Sequence, residues 1–250
     1  MKDPWIQRPQ PRPNARLRLL LLPHAGGGAS TFRGWADALP AEVEVCPVQL
    51  PGRENRTAER PFTSLPALVE ALAAALERWR DLPYAVFGHS NGALIGFELA
   101  RLARRTGTPG PVHLFASGRR APDVPPRHPL IWTLTDDEFL AQLTELGGMP
   151  REILAHPELL ALLLPLLRAD MTLADTYAYA DEPPLSIPIT AFTGTDDTKA
   201  THDDVQAWAR HTAGPFALHA YPGDHFYLFP QKENLLRDLL QALRGVVAAR

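Results

Sequence analysis

Tyr84-Ala85-Val86-Phe87-Gly88-His89-Ser90-Asn91-Gly92-Ala93-Leu94-Ile95 is the stretch that decides the fold. Tyr84–Phe87 is a short apolar run between Pro83 and Gly88, which favours a buried strand over a helix. From Asn91 to Arg105 the apolar residues Leu94, Phe97, Leu99 and Leu102 read as a helix. Between them lies Gly88-His89-Ser90-Asn91-Gly92, a G-x-S-x-G pattern. In a chain this long the bare pattern arises by chance with a frequency on the order of 0.1, so the setting carries the reading. A strand, a sharp turn holding serine and a helix form a nucleophile elbow. Ser90 sits in a strained backbone conformation there, and Gly88 and Gly92 let strand and helix approach. The helix N-terminus aims free N–H groups and partial positive charge at the place where an oxyanion would form.

Outward from the elbow, strands and helices alternate. Leu17–Leu22 reads as a buried strand, followed by the loop Ala25-Gly26-Gly27-Gly28 and a helix over Thr31–Leu39. Val43–Val48 reads as a strand that Pro47 places towards a sheet edge. Leu65–Trp79 is an amphipathic helix with Ser64 in the N-cap position, and Val112–Ala116 is a strand. After Gly118 come a Pro-rich loop and two Leu-rich helical segments, Asp136–Leu146 and Pro157–Ala178, with no strand between them. Alternation resumes with a strand at Ile187–Phe192, a helix at Asp203–His211, a strand at Phe216–Tyr221 and a helix at Glu233–Val247. This predicts an α/β fold with a mostly parallel central sheet flanked by helices. Residues 17–118 and 181–250 form the core. Residues 119–180 are a helical lid insertion at the sheet edge where such folds bind ligands, and residues 1–16 form a Pro-rich arm.

Composition narrows the function. The chain has 250 residues, 45% of them hydrophobic and 21% charged, which suits one globular α/β unit. A formal charge of −3 lacks the basic excess of a nucleic-acid binder. The longest apolar run, Leu159–Leu167, is far short of the roughly 20 residues of a spanning helix. Met1–Asn14 has no apolar segment of a secretory signal, so a cytoplasmic protein is expected. Cys46 is the lone cysteine, which excludes an internal disulfide or a Cys-based zinc site. No histidine pair stands at metal-ligand spacing with carboxylates, and neither a metal nor a cofactor is expected.

A serine hydroxyl is a weak nucleophile and needs a base and an orienting acid. After an elbow the order is Ser, Asp, His. Asp196-Asp197 follow the strand Ile187–Phe192, and His225 follows Phe216–Tyr221. Both lie at the strand ends on the elbow's side. Ser90 is assigned as nucleophile, His225 as general base and then acid, and Asp197, in preference to Asp196, as orienter. The oxyanion hole needs two backbone N–H groups. One belongs to Asn91, and the other comes from the loop Pro23–Gly28. That loop lacks the lysine and spacing of a phosphate cradle. His24 in the same loop is a candidate pocket residue, whereas His89 faces away from the substrate.

With these pieces assembled, the chain resembles the type II thioesterases, the stand-alone α/β-hydrolases that accompany polyketide synthases and nonribosomal peptide synthetases. The resemblance rests on Pro23-His24-Ala25-Gly26-Gly27, Phe32, Trp35 and Leu39, Pro51-Gly52-Arg53-Glu54-Asn55-Arg56, and the elbow. It continues through Ala116-Ser117-Gly118-Arg119-Arg120-Ala121-Pro122, Leu146-Gly147-Gly148-Met149-Pro150, Leu164-Pro165-Leu166-Leu167-Arg168-Ala169-Asp170, Gly194-Thr195-Asp196-Asp197 and Gly223-Asp224-His225-Phe226. It implies hydrolysis of acyl groups from the phosphopantetheine thiol of an acyl or peptidyl carrier protein, clearing stalled units. It also implies catalytic residues at Ser90, Asp197 and His225, an oxyanion amide near Ala25, and an acyl chamber under the lid. Gly26 and Met149 are then further candidate pocket residues, and ordinary helix-on-sheet packing accounts for most of the lid leucines.

Two departures from the family stand out. Asn91 replaces the usual Met, bringing a polar side chain to the pocket border. Asp224 replaces the usual Gly before the catalytic histidine, where a carboxylate could favour the imidazolium. The residues alone leave other readings open: a serine esterase or lipase, an acyltransferase, or an inactive binding protein. An acidic carrier would call for a basic docking surface, for which Arg101, Arg104, Arg105, Arg119 and Arg120 are the candidates.

Overall fold

The computed structural model describes residues 3–126, 130–145 and 157–248. Six parallel strands form one sheet in the order β2-β1-β3-β4-β5-β6. They are β1 (Leu17–Leu22), β2 (Val43–Pro47), β3 (Tyr84–His89), β4 (Leu114–Ser117), β5 (Ile189–Gly194) and β6 (Phe216–Tyr221). The helices are α1 (Trp35–Ala38), α2 (Leu65–Ala75), α3 (Asn91–Thr106), α4 (Asp136–Glu145), α5 (Pro157–Asp175), α6 (His202–Gln206) and α7 (Lys232–Ala248).

Alternate residues of a strand point to opposite faces, and β1 shows the consequence. Leu20 and Leu22 join a core with Leu68 and Leu72 of α2 and Leu94 and Phe97 of α3. Leu17, Leu19 and Leu21 join the opposite core with Trp35 of α1 and Leu235 and Leu239 of α7. A strand covered on both faces has no polar side to show, hence the unbroken apolar run.

Three sequence expectations are adjusted. The helix expected over Thr31–Leu39 is a 3-10 turn at Ala29–Phe32 and the one-turn α1, separated by Gly34 at φ 76°. The helices expected to reach Trp79 and His211 end in 3-10 segments, Glu77–Trp79 and Ala207–His211. The leucines between β4 and β5 do not mainly pack on the sheet. Ile131, Phe139, Leu143 and Leu167 form a separate small core with Leu160, Leu163 and Leu164. The N-terminal arm lies along β2. Ile6 bridges Val48, Arg8 pairs with Glu44, and Trp5 stacks under the Arg56 guanidinium, so the edge strand is covered.

Because every strand runs the same way, the C-terminal ends of β1, β3, β4, β5 and β6 all open on one edge. Among the described residues no helix is long and apolar enough to cross a membrane.

Candidate active site

Ser90 follows β3 at φ 55° and ψ −114°, a region that L residues occupy at a cost of order 1–3 kcal/mol. The turn is held from both sides. Ser90 N–H donates to the Ser117 carbonyl at 2.8 Å, and Ala93 N–H donates to the Ser90 carbonyl at 3.0 Å. A Cβ on Gly88 would lie 2.1 Å from the Gly92 carbonyl oxygen, and one on Gly92 would lie 2.1 Å from the Leu22 oxygen. The glycines of the motif are therefore required by backbone packed on backbone.

His225 lies four residues after β6, and its Nδ1 donates to Asp197 Oδ2 at 2.8 Å. The other oxygen, Asp197 Oδ1, accepts the N–H groups of Lys199 at 2.9 Å and Ala200 at 3.2 Å. Asp197 is buried, whereas Asp196 is exposed. Burial of His225 lowers its pKa below the ordinary value; the Asp197 carboxylate opposes this shift, while Lys199 and Arg119 reinforce it. Asp224 is exposed and its Oδ1 accepts the Phe226 N–H at 2.8 Å, so this carboxylate caps its own loop.

Ser90 and His225 open on one cavity of about 70 Å³, lined also by His24, Ala25, Asn91, Arg119, Lys199 and Phe226. Leu143 of α4 and Leu167 and Met171 of α5 close its other side. Among the described residues, neither the Ala25 N–H nor the Asn91 N–H has a backbone acceptor. His24 Nδ1 donates to the Ala25 carbonyl at 2.9 Å, its ring meets Phe226 edge-on, and burial lowers its pKa to about 4. It is a neutral imidazole at ordinary pH.

His89 does not line the cavity. It is fully buried, with Nδ1 on Ser117 Oγ and its ring 5.1 Å from that of His225. Gly26 is corrected: it lines a neighbouring groove with Leu162, Leu166 and Phe229, not the Ser90 cavity. Met149 lies outside the described residues.

The arginines divide differently from the expectation of one basic surface. Arg101, Arg104 and Arg105 are held in ion pairs with Glu98 and Glu182. Arg119 is buried and Arg120 half-buried, and both line the Ser90 cavity. Burial and the neighbouring Arg120 push the Arg119 pKa down to about 9, and its Nη1 donates to Asn91 Oδ1 at 3.3 Å. Sequence reasoning also missed Lys199, Arg53 and Asp170. Asp170, a carboxylate set in the middle of a leucine-rich stretch, was the available signal, because a buried charge requires a partner.

Among the described residues no group of three His, Cys, Asp or Glu side chains is placed to hold a metal ion.

Comparison with known proteins agrees with this geometry. The family model described as "Thioesterase domain" matches residues 17–243. The gramicidin S biosynthesis protein GrsT of Aneurinibacillus migulanus is 43% identical over 244 residues, covering 98% of this chain and 95% of that protein. Thioesterase PikA5 of Streptomyces venezuelae is 42% identical over 250 residues, covering 98% and 89%. Among solved structures, the type II thioesterase BorB from the borrelidin biosynthetic cluster superposes with a TM-score of 0.88 at 38% identity, covering 98% and 99%. An α/β-hydrolase sheet, an elbow serine that shares a cavity with the histidine of a buried His-Asp pair, and these relatives lead to one assignment: the chain belongs to the thioesterase family, among the type II thioesterases of nonribosomal peptide and polyketide biosynthesis.

Proposed function

We propose that this chain hydrolyses acyl groups from the phosphopantetheine thiol of an acyl or peptidyl carrier protein, with Ser90 as nucleophile, His225 as base and acid, and Asp197 as orienter. The observation that carries the reading is the 2.8 Å His225–Asp197 contact, placed so that His225 and Ser90 share one cavity with the Ala25 and Asn91 backbones.

The chemistry follows from that arrangement. His225 Nδ1–H is held by Asp197, which leaves Nε2 free to take the Ser90 proton. Ser90 Oγ bonds to the thioester carbonyl carbon, and the carbonyl oxygen becomes an oxyanion stabilised by the Ala25 and Asn91 N–H groups. When the tetrahedral adduct collapses, the C–S bond breaks and His225 returns its proton to the pantetheine sulfur. Water then attacks the acyl-serine, again losing its proton to His225, and the free acid and Ser90 hydroxyl are restored. No step draws on a metal or a bound cofactor. The sole thiol of the chain, Cys46, is buried in β2 with its pKa pushed up to about 12, so the thiol in the reaction belongs to the substrate.

The cavity of about 70 Å³ is small beside ordinary ligand sites, which supports a short acyl group. That Leu143, Leu167 and Met171 line this cavity supports reading the helical insertion as a lid.

The test presents acyl-carrier thioesters of increasing chain length beside matched acyl-CoA and p-nitrophenyl esters, with Ser90→Ala as control. Short-chain carrier thioesters should turn over fastest, and Ser90→Ala should lose on the order of 10⁴-fold or more in kcat. Retained hydrolysis in Ser90→Ala would sink the mechanism. A preference for the simple esters would point to an esterase, and transfer to an added amine or alcohol in place of water would point to an acyltransferase.

A further inference from the structure

The two backbone segments facing the oxyanion are both tied to one residue of the helical insertion, Asp170 on α5. Its Oδ2 accepts the Gly26 N–H at 2.7 Å, one peptide beyond Ala25. Its carbonyl oxygen accepts Asn91 Nδ2 at 2.8 Å, the side chain of the residue whose N–H is the other oxyanion donor. The carboxylate is gripped in turn by Arg53, with Nη1 on Oδ2 at 2.8 Å and Nη2 on Oδ1 at 2.9 Å. Arg53 Nη1 also donates to the Gly27 carbonyl at 3.0 Å, so the fork holds the loop after β1 from both sides of Gly26.

Both charges are almost wholly buried, with Asp170 2% and Arg53 4% exposed. A buried ion pair contributes little net stability against apolar residues of the same volume, because desolvation offsets the attraction. Stability alone therefore does not account for it. Apart from the Pro51 carbonyl, which accepts from Arg53 Nε at 3.3 Å, its partners are not scattered: they are the loop Gly26–Gly27 and the elbow residue Asn91. Helix α5 also fits closely there. Gly26 has φ +74°, and a Cβ on it would lie 2.7 Å from Leu167 Cδ2, one turn of α5 before Asp170.

We propose that Asp170, clamped by Arg53, is a positioning residue that sets the geometry of the oxyanion hole and makes it depend on the seating of the helical insertion. When α5 is seated, the Gly26 amide is pinned and the neighbouring Ala25 amide is aimed into the cavity. When α5 lifts, Gly26 N–H loses its acceptor and Arg53 its counter-ion, and the hole loosens. Substrate that seats the insertion thus completes the site that reacts with it. This rests on the assignment of Ser90 and the Ala25 and Asn91 amides above.

The test must separate positioning from folding, and the double variant Arg53→Met/Asp170→Leu does so. Each single change strands a buried charge and should lower Tm. The double change removes both charges and should restore Tm to within a few degrees of the parent. If Asp170 positions the hole, kcat stays down about 10- to 100-fold in the double variant. Affinity for an acyl trifluoromethyl ketone, which forms a tetrahedral adduct on serine, should fall by the same factor, while binding of a non-hydrolysable thioether analogue changes less than twofold. Recovery of kcat together with Tm would overturn the proposal, as would equal losses for ketone and thioether. Should the double variant not fold, Asp170→Asn keeps an acceptor for Gly26 N–H but loses the charge. A smaller, parallel fall in kcat and ketone affinity supports the proposal, and parental values overturn it. Ser90→Ala is measured alongside. Activity in Ser90→Ala removes the underlying mechanism, whereas an inert Ser90→Ala beside a fully active double variant removes only the role of Asp170.

Discussion

The turn after β1 and the turn after β3 both leave a buried parallel strand and both contribute a residue to the lining of the cavity around Ser90, but they are held differently. The β3 turn is held by backbone. Gly88, Gly92 and the Leu22 carbonyl leave no room for a Cβ, and Ser90 is bonded fore and aft by main chain. The β1 turn is held by side chains from distant segments. Asp170 and Arg53 grip it from the insertion and from the loop after β2, and Gln49 Oε1 accepts Ala29 N–H at 2.9 Å. One half of the proposed oxyanion hole is rigid by local construction. The other half is rigid only while long-range partners stay in place, which makes it the half that conformational change can reach.

The largest contrast should appear when a methyl group is added to each turn. Gly92→Ala places a Cβ 2.1 Å from the Leu22 oxygen, where only backbone could yield. It should cost more than about 3 kcal/mol or prevent folding. Gly27→Ala meets only the His24 ring and the Thr31 hydroxyl, at 3.0 Å, and these side-chain ends can move. It should cost within about 1.5 kcal/mol. Urea unfolding of the two variants measures the difference, and equal costs would erase the distinction between the turns.

Acid should probe the β1 turn next. His24 has a pKa lowered to about 4 by burial, while in the unfolded chain it titrates near 6.5. The unfolded state therefore binds a proton that the folded state refuses. The stability this confers is complete above pH 6.5 and is lost as pH falls from 6.5 towards 4. His113, pushed down to about 4 on β4's flank, behaves alike. Unfolding free energy should fall over that window, and His24→Gln should flatten the slope without removing it, because His113 remains. An unchanged slope in His24→Gln would show that the turn admits the proton.

The smallest effect concerns the base. Lys199 helps to hold the His225 pKa down. Lys199→Met should move the acid limb of kcat/KM to higher pH by a few tenths of a unit, with the plateau kept, since the Lys199 N–H to Asp197 is main chain. A limb that stays put or moves down would contradict the assigned influence of this cation on His225.

Legibility in the sequence tracks the same division. The elbow, the strand ends bearing Asp197 and His225, and the strand-helix alternation are local patterns, and the structure keeps their order with several strand bounds shifted by one or two residues. The apparent helix over Thr31–Leu39 broke at Gly34 because a left-handed residue interrupts the helical ladder. Gly26 looked like a pocket residue because it neighbours Ala25, yet α5 lies against its other side. Arg101 and Arg119 looked alike as positive charges near helix and strand ends. Glu182, 81 positions along the chain from Arg101, neutralises one, while the fold buries the other at the cavity that Ser90 lines.

The amino-acid sequence by itself determined the sheet, the strained serine turn and the chain order in which Ser90, Asp197 and His225 follow their strands. Those depend on strand and helix periods and on glycines acting over a few residues. Only the tertiary structure decided which charges meet, that Asp170 reaches Gly26 and Arg53 across 144 and 117 positions, and that Arg119 faces the cavity. Those pairings join residues far apart in the chain, and it is the packing of α5 against the strand ends that closes the distance.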